Sequence, residues 1–405
     1  AIVLSGRERV QLTGSDLLAK GGAGTSVALQ DPNPSAAAAV TSVSEPGSDL
    51  AASTTTEAQT SAPIPAPLPD LSVSGTLAGG PSPAHGGSID VQAGSLQING
   101  GRIDASGTDG SARVVTQDGA SGAWQLDRAP APPLLSGASS TADPLMGQGG
   151  AISLQADRIL LGGAVNAAGS TGGTVTIQST ELVGGAPITV TGLAGAGGSI
   201  NLKASGSIWQ TNASVLDASG FASGGSIQLE AGSDLLSSGT FRAVGEGALA
   251  DGGLIELSAN RGLVLTAARV DASGFGDGGT VRVGGGFQGT ALSSGAPNAD
   301  NVRINGYTSL KANSRLSGDG GDVVVWSDQS TDYYGWAEAR GGSLAGQGGL
   351  IEISGRENLL YGGMADASAP AGQAGSLLLD PKNIIIDASG VGGFNYSIQN
   401  ILAPS

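Results

Sequence analysis

The chain has 405 residues, of which 71 are glycine and 3% aromatic, with 13% charged residues and a formal net charge of −16. That composition excludes a deep aromatic core, although 39% apolar residues permits a thin one of Val, Ile and Leu. The acidic balance, with no Lys/Arg cluster, repels phosphate backbones and excludes nucleic acid as a partner, and the lack of cysteine excludes disulfides, thiolate metal sites and cysteine nucleophiles.

In chain order, residues 1–29 open in strand-like text (AIVLSGRERVQLTG) and are expected to form a first coil, in a piece of a longer chain. Residues 30–85, rich in Pro, Ala, Ser and Thr, read as an insertion or linker, with 30–70 extended and mobile. A coil follows at 86–107, a loop insertion at 108–147 and the main body at 148–390, interrupted by a smaller excursion over roughly 284–301. Residues 391–405 are expected to continue a longer chain. No run approaches the roughly 18 apolar residues of a membrane span.

The main body is a repeat. A Gly-Gly pair before a short alternating strand recurs as GGSIDV at 86, GGAISL at 149, GGTVTI at 172, GGSINL at 197 and GGSIQL at 224. It returns as GGLIEL at 252, GGTVRV at 278, GGDVVV at 320 and GGLIEI at 348, then as AGSLLL at 374. From 149 to 278 the steps are 23, 25, 27, 28 and 26 residues, the spacing of stacked solenoid coils. In one unit, Gly224 and Gly225 are expected to make a turn needing positive φ, which is cheap only for glycine. Ile227 and Leu229 then alternate with Gln228 and Glu230. Short strands at Leu235-Leu236 and Thr240–Val244 complete the coil. The pattern predicts an all-β right-handed parallel β-helix of about 23–28-residue coils with Pro/Ser-rich loop insertions.

The third strand carries its own signature, IDASG at 103, LDASG at 216, VDASG at 270, ADASA at 365 and IDASG at 386, with VNAAG at 165 as a weaker copy. Its Asp and Ser side chains are placed to bond nearby backbone amides. The nonapeptide array of a calcium β-roll is missing, so these aspartates read as structural.

At the C-terminal third the text becomes specific: GDGGDVVVWSDQSTDYYGWAEARGG (318–342), GGLIEISGRENLLYGGMADASA (348–369) and AGSLLLDPKNIIID (374–387). Together these segments resemble the large exoproteins of bacterial two-partner secretion, the filamentous-haemagglutinin-like family. The resemblance covers 149–390, and the first 148 residues only through repeat style. It implies a right-handed parallel β-helix exported through a dedicated outer-membrane partner, and a role as adhesin, surface filament or toxin carrier. The text of the family's N-terminal secretion domain is not recognised here, so an exporter is expected to act on the full-length chain.

Little chemistry competes with that reading. The one histidine, His85, stands in a Pro/Ser-rich segment with nothing to orient a Ser-His-Asp triad, and zinc lacks ligands. Glycine-rich spacings such as that at Gly192 are what a chain this rich in glycine generates by chance. Trp124 and Trp209 are isolated, each able to plug a coil or face a partner. The densest polar-aromatic cluster gives the candidate contact patch: Trp326, Asp328, Asp332, Tyr333, Tyr334, Trp336 and Arg340. Against it stands a scaffold reading, in which Trp326 extends the strand 323–325 and the tyrosines cover a coil's side. No catalytic residue, cofactor or metal ligand is assigned, although calcium bridging between acidic rods is left open. The expected function is a non-enzymatic structural or adhesive rod, secreted to the bacterial surface or beyond. Its partners would be host-cell or matrix glycans or proteins, or copies of itself in filaments. The alternative is a β-helical polysaccharide lyase or hydrolase using Asp322, Asp328, Asp332 and Arg340.

Overall fold

The computed structural model describes residues 86–107 and 147–382, together with the backbone of the strands Ile2–Leu4, Val10–Thr13, Leu17–Leu18, Asp70–Ser74, Thr76–Ala78, Arg113–Gln117 and Trp124–Arg128. Apart from Arg113–Gln117 and Trp124–Arg128, the strands build a right-handed parallel β-helix, with no α-helix among the described residues. From residue 199 to residue 366 each coil contributes three strands, as in Ser226–Ala231, Asp234–Ser237 and Thr240–Arg242, whereas Ser88–Asp104 and Ala151–Asn166 each run as one strand through all three sides of a coil. Each strand pairs in parallel with its counterpart one coil later, so the helix has three long faces.

The register turns the alternation of each strand into inner columns running the length of the molecule. On the first face Ile200, Ile227, Ile255, Val281, Val323 and Ile351 stack rung on rung. On the third face the column is Ile188, Leu216, Phe241, Val270, Leu310 and Ala337. All are buried in one continuous core. Because successive side chains point to opposite faces, a slip of one residue would turn every column outward, which fixes the register. In the second face one inner column changes chemistry: Gln210 and Ser237 replace aliphatic residues, and the Ser237 hydroxyl donates to Gln210 Oε1 at 3.1 Å.

The Gly-Gly pairs do a different job from the one their sequence implies. The described positive-φ glycines are Gly100, Gly284, Gly289, Gly295 and Gly346, none of which belongs to the Gly-Gly pairs that open the repeats. The constraint is close approach instead: a Cβ on Gly225 would run into the backbone of Gly197 and Gly198 one coil away. The second glycine of each pair closes its coil by donating its N–H across the corner. Gly225 donates to the Ala218 carbonyl at 2.7 Å, Gly253 to Ala243 at 2.7 Å, Gly279 to Ala272 at 2.8 Å and Gly349 to Ala339 at 2.7 Å. The acceptor is the buried alanine of the DASG-type strand, or the residue equivalent to it.

This clamp makes the length of the intervening turn immaterial. It spans residues 168–172 between Ala167 and Gly173, and residues 106–149 between Ala105 and Gly150, with the same 2.8 Å bond in both. The long insertion leaves and returns at one point, where the Gly147 N–H donates to the Gly107 carbonyl at 2.7 Å. It carries an antiparallel hairpin of its own, Arg113–Gln117 with Trp124–Arg128. Within 30–85, the strands Asp70–Ser74 and Thr76–Ala78 join the main sheet, pairing with Val10–Thr13 and Leu17–Leu18 and with Ser88–Asp104. The expectations for 30–69, His85 and 391–405 lie outside the described residues.

Candidate functional site

The DASG aspartates are structural, as their pattern implies. Each carboxylate accepts the backbone N–H two residues on: Asp104 from Ser106 at 2.8 Å, Asp217 from Ser219 at 2.9 Å, Asp271 from Ser273 at 2.9 Å and Asp366 from Ser368 at 2.9 Å. The second oxygen of each meets an arginine: Arg102, Arg242, Arg315 and Arg340 respectively. On consecutive rungs of the third face the outward residues run Asp217, Arg242, Asp271, Lys311 and Glu338, a column of alternating sign.

The predicted contact patch divides in two. Trp326 and Tyr333 are buried and do not belong to a contact surface. Tyr333 points into the core and stacks on Tyr361, its neighbour one rung later, with ring centroids 5.7 Å apart and planes 9° from parallel. Burial, with Tyr361 beside it, pushes its phenol well above the usual range. The reason is register: Tyr333 continues the inner column of Leu265 and Ile304. Trp326 Nε1 donates to Asp328 Oδ1 at 3.0 Å. Asp332 sits on the outer second face between Arg303 and Leu360.

Tyr334 and Trp336 are exposed, and the structure adds companions that the sequence did not single out. Trp336 lies one rung from Met364, and Tyr307 occupies the same corner, between the second and third faces, one coil earlier. Tyr307 is 84% exposed, Trp336 44% and Met364 47%. Arg340 is exposed and pairs with Asp366. A second apolar surface runs along the outer second face, where Leu160, Val183, Trp209, Leu236 and Val264 occupy consecutive rungs. Trp209 is 49% exposed there, so it faces outward rather than plugging a coil. Its signal is the doublet of apolar residues in the second strands of these coils, such as Ile208-Trp209 and Leu235-Leu236, where one member must point out. The side chain of Trp124 lies outside the described residues.

The excursion over 284–301 folds back as a strap on the outer first face, and the strands on either side of it keep their parallel pairing. Beneath it are Glu256, Ser258, Val324, Trp326 and Glu352, all outward by register yet buried. Burial pushes the Glu256 carboxyl up. Hydrogen bonds from the Ser293 N–H and hydroxyl, Arg282 and the Ser294 N–H outweigh that and hold it below its ordinary value. Glu352 goes the other way, raised by burial, with the Gln288 N–H and Ser354 hydroxyl opposing and Asp380 adding to the rise. Burial also raises Asp322, with Arg282 opposing.

These carboxylates do not assemble into a hydrolytic pair. Glu256 and Glu352 stand three rungs apart, roughly 14 Å at strand spacing, whereas paired glycosidase carboxyls sit about 5–9.5 Å apart. Asp322 lies on the first face, Asp332 on the second, and Arg340 follows the third. Among the described residues no group of three or more His, Asp or Glu side chains is placed to hold a metal ion, and no helix is long and apolar enough to cross a membrane.

Among the described residues the geometry is that of a solenoid with exposed apolar, aromatic and charged columns on its outer faces. No protein-family model matches the chain, and no curated protein matches it. Among solved structures it is similar to the crystal structure of the HMW1 secretion domain from Haemophilus influenzae. The identity is 16%, over 77% of this chain and 88% of that one, with a TM-score of 0.42. That likeness is one of fold alone.

Proposed function

We propose that the chain is part of a secreted bacterial β-helical rod, non-enzymatic, that acts at the cell surface or outside the cell by contact. The observation that carries this reading is the exposed corner of Tyr307, Tyr334, Trp336 and Met364 on a rigid stack. Aromatic faces held at fixed spacing stack on flat apolar faces of sugars or on side chains of a partner protein. Host-cell or matrix glycans or proteins are the partners this corner suits. Export through an outer-membrane partner is supported by the family resemblance of the 318–387 text. Binding of the wild-type chain to a panel of glycans and matrix proteins tests the reading. The Tyr334→Ala/Trp336→Ala double variant is expected to lose at least tenfold in affinity while keeping its melting temperature. Unchanged binding by that variant, or cleavage of any polysaccharide in the panel, would sink it.

A further inference from the structure

We propose that residues 285–298 form a proton-controlled strap over the outer first face, latched at one end by an ionised Glu256 and at the other by a protonated Glu352. The strap itself (GGFQGTALSSGAPN) has no titratable side chain, so any control lies in the sheet beneath it. At the Glu256 end every partner is a donor. Ser293 gives its N–H at 2.9 Å and its hydroxyl at 2.8 Å, Ser294 its N–H at 3.1 Å, Arg282 Nη1 at 2.9 Å and Gln228 Nε2 at 3.1 Å. Only a carboxylate accepts all of them.

The Glu352 end offers a charge far fewer partners. The Gln288 N–H donates to Oε2 at 2.9 Å, while Oε1 is buried without a partner. On the rungs to either side the opposed residues are Val324 and Leu378. The groups that face it are Gln288 from the strap, Ser354 from its own strand's end and the carboxylate of Asp380, and none is a cation. Arg282, the arginine of that column, is bonded to Glu256. The residue that Glu352 holds is itself strained: Gln288 has φ 52 and ψ 35, a left-handed conformation that favours glycine.

The two latches titrate in opposite senses. Closure raises the Glu352 pKa above the ordinary 4.5, so the closed strap binds more protons and weakens as pH rises from about 4.5 through the closed-state value. Closure lowers the Glu256 pKa, so that latch is lost as pH falls from about 4.5 through its own closed-state value. The strap is therefore held most firmly in mild acid, and loosening it uncovers Val324 and Trp326.

Hydrogen–deuterium exchange of peptides covering 285–298, corrected for intrinsic rate between pH 4 and 8, tests this on the wild-type chain. Protection should peak in mild acid and fall toward neutral pH, tenfold for each pKa unit separating the closed and open states. Glu352→Gln should abolish that fall. Glu256→Gln should lower protection throughout while the strand 226–231 stays protected. Gln288→Gly, which removes the strain but not the carboxyls, should raise protection and leave the pH slope unchanged. A flat wild-type profile, or a Glu352→Gln profile that tracks the wild type, would overturn the proposal.

Discussion

Tyr333 and Tyr334 are neighbours in sequence, yet one is the largest fully buried side chain among the described residues and the other faces solvent. Alternation along a strand decides between them, and the columns decide which way the strand faces. Aligning the coils on their Gly pairs is enough to send Tyr333 inward, behind Ile304, but the density of polar and aromatic residues around it argues for a surface. Truncating it removes a ring from the core, so Tyr333→Ala should cost about 3–5 kcal/mol in denaturant unfolding, the range for large aromatic-to-alanine changes. Tyr333→Phe should cost under about 1 kcal/mol, because the hydroxyl makes only a long 3.5 Å contact with the Met364 carbonyl. A residue of a contact surface would give small values for both. At Asp217 the turn bond matters more than the charge. Asp217→Asn should be nearly neutral, since Asn166 makes the same bond to the Ala168 N–H at 3.1 Å, whereas Asp217→Ala should cost about 1 kcal/mol.

At the scale of the element, the strand periodicity and the three-strand coil are legible in the sequence because burial on a thin core leaves no other use for alternating Val, Ile and Leu. The strap is not legible. Glu256 and Glu352 occupy outward positions where Gln228 and Arg282 also stand, and nothing local says that a later turn will fold back over them. The Gly pairs are visible as turns, but their cause is backbone proximity between coils, which a single sequence does not encode. Since the clamp from Gly150 to Ala105 closes the corner whatever lies between, replacing 108–146 by a two- or three-residue polar turn should leave the far-ultraviolet spectrum of the stack intact. Gly225→Ala should destabilise by about 1–3 kcal/mol or more in thermal melts, because the added methyl meets backbone that has no room to move.

For the whole molecule, stacking replaces a globular core with a line of nearest-neighbour interfaces, so stability accumulates coil by coil. On the first face ten rungs run from Ser88 to Ser376, a segment roughly 43 Å long at about 4.8 Å per rung. Within that length the surface carries partial stripes: alternating charge from Asp217 to Glu338 on the third face, apolar residues from Leu160 to Val264 on the outer second face, and aromatics at the corner around Tyr307, Tyr334 and Trp336. Stripes parallel to a stiff axis favour multivalent contact, in which many weak engagements add through geometry. Electron microscopy of the native material, with and without calcium, tests the account most directly. It predicts straight rods with a rung spacing near 4.8 Å, recovered outside the cell, either dispersed or joined side to side. Compact particles without that spacing, or a protein retained wholly inside the cell, would contradict it.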